Sequence, residues 1–289
     1  MSFGTQLGEL LRTKRIVVAP GVMDALSARI AKEAGFQCLY MSGYVNSAVM
    51  LGSPDFGLLT LTEMSERLKM IVDATQIPLI ADADTGYGNP INVRRTVAEY
   101  IRAGAAAIQL EDQTFPKRCG HMQGKQIIPA ELMVQKVRAA ADVVSETKSD
   151  LLIIARTDAR ALQGLDEAIR RGKLYVEAGA DIIFIEAPIN REELATIGGS
   201  FDVPLLVNLI EGARTPICPL GELEAMGFSI VIYPISAMYV MSKTLKEFYA
   251  DLRAAGTTEG WFDRMSSFEE FNAFIGLSHY RALEDSYKA

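Results

Sequence analysis

EYIRAGAAAIQLED (Glu99–Asp112) holds the pattern on which the fold turns. An amphipathic, helix-like stretch runs into Gly104, which suits the left-handed position that ends a helix. A compact apolar run follows, fit for a strand buried on both faces, and it stops at Glu111 and Asp112. The same phrase returns as AKEAGFQCLYMSG (Ala31–Gly43), LYVEAGADIIFIEA (Leu174–Ala187) and ELEAMGFSIVIYP (Glu222–Pro234), with Gly35, Gly179 and Gly227 at the turn. Further strands read from Ile16–Pro20, Pro78–Asp84, Leu151–Asp158 and Pro204–Asn208.

Eight strands, each followed by a helical stretch, imply parallel βαβ units, and eight such units fit a closed (β/α)8 barrel of the TIM type. An open doubly wound sheet is the rival, but no G-x-G-x-x-G follows the first strand. The pattern predicts a single domain over 1–289, with roughly 1–255 as barrel and 256–289 as a C-terminal helical extension. Two segments fall outside the repeat. Phe115–Pro129 is a long polar and basic insertion after the fourth strand, of a length usual for functional loops. From Trp261 onward the chain reads as one or two amphipathic helices with aromatic anchors, suited to a subunit contact.

With 49% hydrophobic and 22% charged residues among 289, the chain can bury a large core. A net charge of -7 argues against a nucleic-acid partner. Three cysteines do not read as a disulfide framework. MSFGTQLGELLRTKRI lacks the apolar core of a signal peptide, and no apolar run is long enough for a bilayer. These features predict a cytoplasmic protein without membrane partners.

Barrel chemistry gathers at the C-terminal ends of the strands. Those ends carry Ser42-Gly43-Tyr44, Asp82-Ala83-Asp84, Glu111-Asp112, Arg156-Thr157-Asp158, Glu186, Asn208 and Tyr233-Pro234. A lone carboxylate there is ordinarily a helix cap, but carboxylates from four ends repel one another and call for a cation. Oxygen donors without His or Cys ligand spacing point to Mg²⁺ or Mn²⁺. Asp82 and Asp84, two apart on an extended strand end, should face the same side. In the insertion, Lys117, Arg118 and His121 flank Cys119 and can lower its pKa, which favours a reactive thiol, while Gly120 admits a ligand close to the backbone. Cys38 and Cys218 lack such neighbours and read as buried hydrophobes.

DADTGYGN (Asp82–Asn89), QLEDQ (Gln109–Gln113), PKRCGH (Pro116–His121), IIARTDA (Ile153–Ala159) and IEAP (Ile185–Pro188) together resemble the isocitrate lyase and phosphoenolpyruvate mutase superfamily. PGVMDALSARIAKEAGF, MSGY and SPDFG, which carries Asp55, extend the likeness over nearly the whole chain. The resemblance implies a magnesium-supported homotetramer in which a C-terminal helix swaps between subunits. Asp82 would be the nearest metal ligand, with Asp55, Asp84 and Glu111 reaching the ion through water. Ser42, Gly43, Tyr44 and Arg156 would hold the carboxylate and C2 oxygen of the substrate; Glu186, Asn208 and backbone groups of Gly120 and His121 would contact the rest. Lys117, Cys119, Gly120 and His121 match the loop of the lyases, and FPKRCGHMQGK and NLIEGARTP resemble the 2-alkylmalate group, that of 2,3-dimethylmalate lyase and the petal death protein. The 2-methylisocitrate lyases differ at Met122 and Asn208–Glu211, and oxaloacetate hydrolases tend to have Ser in place of Pro234. Phosphonate mutases lack the Cys, a rearrangement of the carboxyvinyl-carboxyphosphonate phosphorylmutase type needs a phosphonate pocket that the sequence does not reveal, and a silent dicarboxylate-binding barrel is the non-enzymatic alternative.

The expected chemistry is retro-aldol cleavage of a 2-hydroxy di- or tricarboxylate to an α-keto acid such as pyruvate and a carboxylate. Tyr44 or a metal-bound water takes the hydroxyl proton, Arg156, Lys117 and His121 offset the developing charge, and Cys119 protonates the departing carbanion as general acid.

Overall fold

The computed structural model describes residues 1–120 and 124–288. Its strands are β1 (Val17–Val22), β2 (Leu39–Met41), β3 (Leu79–Asp82), β4 (Ala107–Glu111), β5 (Leu152–Thr157), β6 (Ile182–Ile185), β7 (Leu205–Asn208) and β8 (Ile230–Tyr233). They pair in parallel and in chain order to form a closed barrel. Val17 lies opposite Ile230 and Pro20 opposite Tyr233 where β8 returns to β1. At least one helix follows each strand, so the expected (β/α)8 architecture is what forms. Gly35, Gly104, Gly179 and Gly227 all take positive φ, between 88° and 108°, at the turns that lead from helix to strand.

Side chains alternate along each strand, and the barrel sorts them accordingly. Val17, Ala19, Tyr40, Ile80, Ala107, Ile154, Ile182, Phe184, Leu206, Ile230 and Ile232 form one buried cluster drawn from all eight strands, the filling of the barrel. Leu7, on the leading helix Phe3–Arg12, joins that cluster and is fully buried. The intervening residues, among them Ile108, Leu110, Ile153, Ala155, Ile183, Ile185, Val207 and Val231, pack with helix residues such as Val97, Tyr100, Val137 and Tyr175 in the second cluster. Burying a Val, Leu, Ile or Phe side chain stabilises by about 1.5–3 kcal/mol, and this two-layer core is the main source of stability.

Two compact units divide the chain, residues 1–238 and 239–289. In the second, Trp261 stacks edge-on against Phe248 with 5.4 Å between ring centres, and its indole N–H donates to Asp251 at 3.0 Å. The guanidinium of Arg264 lies 3.8 Å above the Trp261 ring. Helices Phe268–Phe274 and Leu277–Ser286 complete this unit. Ser267 caps the first through a reciprocal pair of hydrogen bonds with Glu270. Phe268 and Tyr287 are more than 80% exposed. Among the described residues, no helix is long and apolar enough to cross a membrane.

Candidate active site

The residues at the mouth follow from the same alternation. Each strand that fills the barrel with an apolar side chain presents its next inward residue at the C-terminal end. Asp82 follows Ile80, Gln109 and Glu111 follow Ala107, Arg156 follows Ile154, Glu186 follows Phe184, and Asn208 follows Leu206. All six are buried.

Asp82 is held from three sides. Its Oδ2 accepts the Gly43 N–H at 3.1 Å, at the start of the helix Gly43–Leu51, where the helix dipole favours negative charge. Its Oδ1 accepts the Asp84 N–H at 3.1 Å and Gln109 Nε2 at 3.3 Å. Gln109 is oriented in turn by the Tyr40 hydroxyl, 3.1 Å from its Oε1. A Cβ added at Gly43 would stand 2.9 Å from Asp84 Oδ1 and 3.1 Å from Asp82 Oδ2, so both carboxylates crowd this one backbone position. Asp84 and Ala187, just beyond the ends of β3 and β6, hold positive φ of 49° and 59°, backbone strain of the kind concentrated at functional sites.

Lys117 inserts its ammonium between Asp55 and Asp84, at 2.6 and 2.7 Å. Burial opposes its charge, but Asp84, Glu111, Asp55 and Asp82 outweigh burial and hold its pKa well above the usual lysine value. Burial pushes Asp84 up to about 6 despite the pull of Lys117. Arg156 meets Glu111 at 3.1 Å, Asp158 at 3.0 Å and Glu186 at 3.2 Å. Burial also drives the Glu111 pKa well above the carboxylate range, Arg156 notwithstanding. Both Glu111 oxygens and Asp84 Oδ1 are buried and accept no hydrogen bond, although the cations stand at ion-pair distance.

Behind this layer the outward-facing neighbour Asp112 accepts from Thr157 Oγ1 at 2.7 Å, Asp158 N–H at 2.9 Å, Tyr175 OH at 2.8 Å and Arg171 Nη1 at 3.0 Å. Glu111 and Asp112 are adjacent yet serve opposite sides of the barrel wall.

Above the mouth, Gln113 grips the backbone of Arg118, accepting its N–H at 3.0 Å and donating to its carbonyl at 2.8 Å. The Arg118 guanidinium lies over the Phe56 ring. Cys119 is half-buried, whereas Cys38 and Cys218 are buried. A Cβ at Gly120 would run into Arg156 and the Glu186 carboxylate, so the backbone there does approach the site closely. Asn208 donates to Glu186 at 3.4 Å. Ser42 caps the helix that carries Gly43 and the half-buried Tyr44. Pro234 is buried beyond β8, where its carbonyl would block a side chain on Gly21. His121 lies outside the described residues.

The four expected metal donors do not form a ready-made cage: among the described residues, no group of three or more His, Cys, Asp or Glu is arranged to hold an ion. Lys117 stands between Asp55 and Asp84, and Arg156 pairs with Glu111 and Glu186. Neither Lys125 nor Gln109 is among the strand-end residues read from the sequence, and Asp158 stands there without an assigned role. Gln109 and Asp158 were detectable from period-two spacing alone; Lys125, in the insertion, had no such signal.

Barrel, acidic mouth and cysteine-bearing insertion together define a class, the enzymes of the isocitrate lyase and phosphoenolpyruvate mutase superfamily. The chain belongs to the phosphoenolpyruvate phosphomutase family, whose model matches residues 7–253. It is 49% identical over 287 residues to the 2,3-dimethylmalate lyase of Eubacterium barkeri, covering 99% of each chain. Among solved structures it is similar to oxaloacetate acetylhydrolase in complex with 3,3-difluorooxalacetate, with a TM-score of 0.93, 37% identity, and 99% and 97% of the two chains covered. It is also similar to phosphonopyruvate hydrolase in complex with oxalate and Mg²⁺, with a TM-score of 0.89, 31% identity and 99% of each chain covered. The chain is an enzyme of the carbon–carbon lyase type.

Proposed function

We propose that this chain is a Mg²⁺-supported lyase that cleaves a 2-hydroxy dicarboxylate of the 2-alkylmalate type, such as 2,3-dimethylmalate, into an α-keto acid and a carboxylate. The observation that carries this reading is the charge imbalance at the mouth. Asp55, Asp82, Asp84, Glu111, Asp158 and Glu186 are buried there against Lys117, Lys125 and Arg156. A dianionic substrate would deepen that imbalance, and a divalent cation would offset it.

The donor set fits Mg²⁺, with Mn²⁺ as a substitute. The donors are hard oxygens, and those of Glu111 and Asp84 Oδ1 are buried with cations as their close contacts. Magnesium keeps several waters, so Asp82 would bind it directly while Asp55, Asp84 and Glu111 reach it through water. Bound there, the ion would help orient the substrate and acidify its 2-hydroxyl.

The chain's own residues supply the rest. Arg156, with Ser42 and Gly43, receives the carboxylate beside C2. Tyr44, acting as its phenolate, takes the hydroxyl proton as the C2–O bond becomes a carbonyl. The C2–C3 bond breaks, its electron pair goes to C3, and the Cys119 thiol donates a proton there. Solvent then restores the thiol and the tyrosine releases its proton. A thiol is acidic enough to act near neutral pH, and His121 assists in offsetting charge. Glu186, Asn208, Pro234 and the Gly120 backbone bound the room left for the alkyl groups. The assembly is a homotetramer in the cytoplasm, and sedimentation tests its stoichiometry.

α-Keto acid release tests the reading, with 2,3-dimethylmalate, other 2-alkylmalates, 2-methylisocitrate and oxaloacetate offered with and without Mg²⁺. Metal-dependent release from the 2-alkylmalates supports it. Turnover of oxaloacetate alone, yielding oxalate, would move the chain to the hydrolases, and silence across the panel would overturn the assignment.

A further inference from the structure

Lys125 is not needed by the chemistry above, yet its ammonium is buried at the site. It donates to the Gly120 carbonyl and to Asp158 Oδ1, the latter at 2.6 Å. Asp158 is itself fully buried, and its carboxylate also receives Arg156 Nε at 3.0 Å and Nη2 at 3.2 Å. Its backbone N–H is anchored on Asp112. One carboxylate therefore joins two cations with different attachments: Arg156 rises from β5, and Lys125 reaches up to the carbonyl of Gly120, the residue after Cys119. The close approach of Gly120 to Arg156 and Glu186 agrees with a backbone drawn down on the arginine.

We infer that the Lys125–Asp158 pair is a positioning clamp, which fixes Gly120 through its carbonyl against Arg156 so that the thiol of the preceding Cys119 and the anion-binding guanidinium keep one separation. Neither member touches the reacting atoms. The inference rests on the proposed lyase reading, in which Arg156 holds the substrate and Cys119 delivers a proton. A buried ammonium shared by a loop carbonyl and a framework carboxylate is suited to this, because losing it leaves Gly120 without its tether while Arg156 keeps Asp158. Displacing a reacting group by about 1 Å costs on the order of 10²-fold in rate, so the effect should fall on turnover rather than on binding.

The test compares wild type, Lys125→Met and Lys125→Arg in the full chain by two readouts. The first is keto-acid release, read as kcat against KM. The second is the rate at which iodoacetamide alkylates Cys119, located by peptide mass mapping, with the buried Cys38 and Cys218 as internal references. Lys125→Met should lower kcat about 10²-fold with KM within a few-fold and should speed alkylation of Cys119, while Lys125→Arg should restore both in large part. Should the Met variant fail to fold, Lys125→Gln, which keeps a donor but loses the charge, carries the same comparison. Wild-type alkylation and kcat in the neutral variant would overturn the clamp. If wild type turns over no substrate, the lyase reading fails by itself, and the alkylation rates still decide whether Lys125 fixes the loop.

Discussion

Lys117 reaches Asp55 across 62 residues of sequence, with its ammonium 2.6 Å from the carboxylate and neither side chain more than 4% exposed. The lysine belongs to the insertion that carries Cys119, and the aspartate to the segment after β2. Their contact ties the reactive loop to the acidic rim.

Removing the cation strands two buried carboxylates. Lys117→Met should therefore cost about 3–5 kcal/mol in urea unfolding with EDTA present, the usual penalty for breaking a buried pair from one side. Lys117→Met combined with Asp55→Asn should recover part of that loss. Additive destabilisation in the double variant would show that the two side chains do not communicate.

Cys119→Ser tests the proton donor. Loss of a positioned general acid reduces turnover by roughly 10²–10⁴-fold. Keto-acid release should fall within that range, while calorimetry still detects product binding in Mg²⁺. Near-normal turnover would remove the thiol from the reaction.

Mg²⁺ should raise the midpoint of thermal unfolding and EDTA should lower it. At a hundred times Kd the ion would add about 2.7 kcal/mol. Asp82→Asn should abolish the Mg²⁺-dependent rise. A midpoint indifferent to Mg²⁺ in wild type would count against the metal assignment.

Asp112 tests the framework behind the site. It accepts from Thr157, Asp158, Tyr175 and Arg171. Asp112→Ala should destabilise by about 3–5 kcal/mol by chemical denaturation, because Thr157, the Asp158 N–H and Tyr175 lose their buried acceptor, while Arg171 keeps Glu167 and the Ile128 carbonyl. A loss under 1 kcal/mol would mean that water takes over these bonds readily.

Glu167 provides a pH signature outside the mouth. The hydrogen bond from Arg170 above all lowers its pKa from 4.5 to about 2; burial opposes this, and a hydrogen bond from Arg171 adds to the lowering. A folded value below the unfolded one stabilises fully above about 4.5, and that contribution disappears as pH falls toward 2. The stability difference between wild type and Glu167→Gln should thus shrink between these limits. A constant difference across that window would show that ionisation of Glu167 is not what stabilises.

The barrel was legible because its signals are local and repeated. Gly104 and its three counterparts mark helix ends, and each apolar run that follows can lie only in a strand covered on both faces. Much of the mouth was legible for the same reason, since Asp82, Glu111, Arg156, Glu186 and Asn208 stand at strand ends. What strand ends alone do not separate is inward from outward. Glu111 faces the chamber, while Asp112, the next residue, supports the wall behind it, and only the phase set by Ala107 and Gln109 tells them apart. Lys117 and Lys125 were harder still. The sequence names Lys117 as a catalytic cation of the loop and does not single out Lys125, and the burial of both depends on Asp55 and Asp158, partners that no short-range pattern connects to them.

The pairing of Val17 with Ile230 has a consequence for how the protein is made. A ring of strands cannot close until its last member arrives, so the chamber floor, which draws side chains from all eight strands, stays open-seamed while synthesis is under way. Folding must join segments more than two hundred residues apart before any substrate could be gripped, a separation that slows the search and leaves unpaired strand edges exposed meanwhile. A nascent chain halted just short of Ile230 would carry nearly every reactive group yet have no vessel in which to use them.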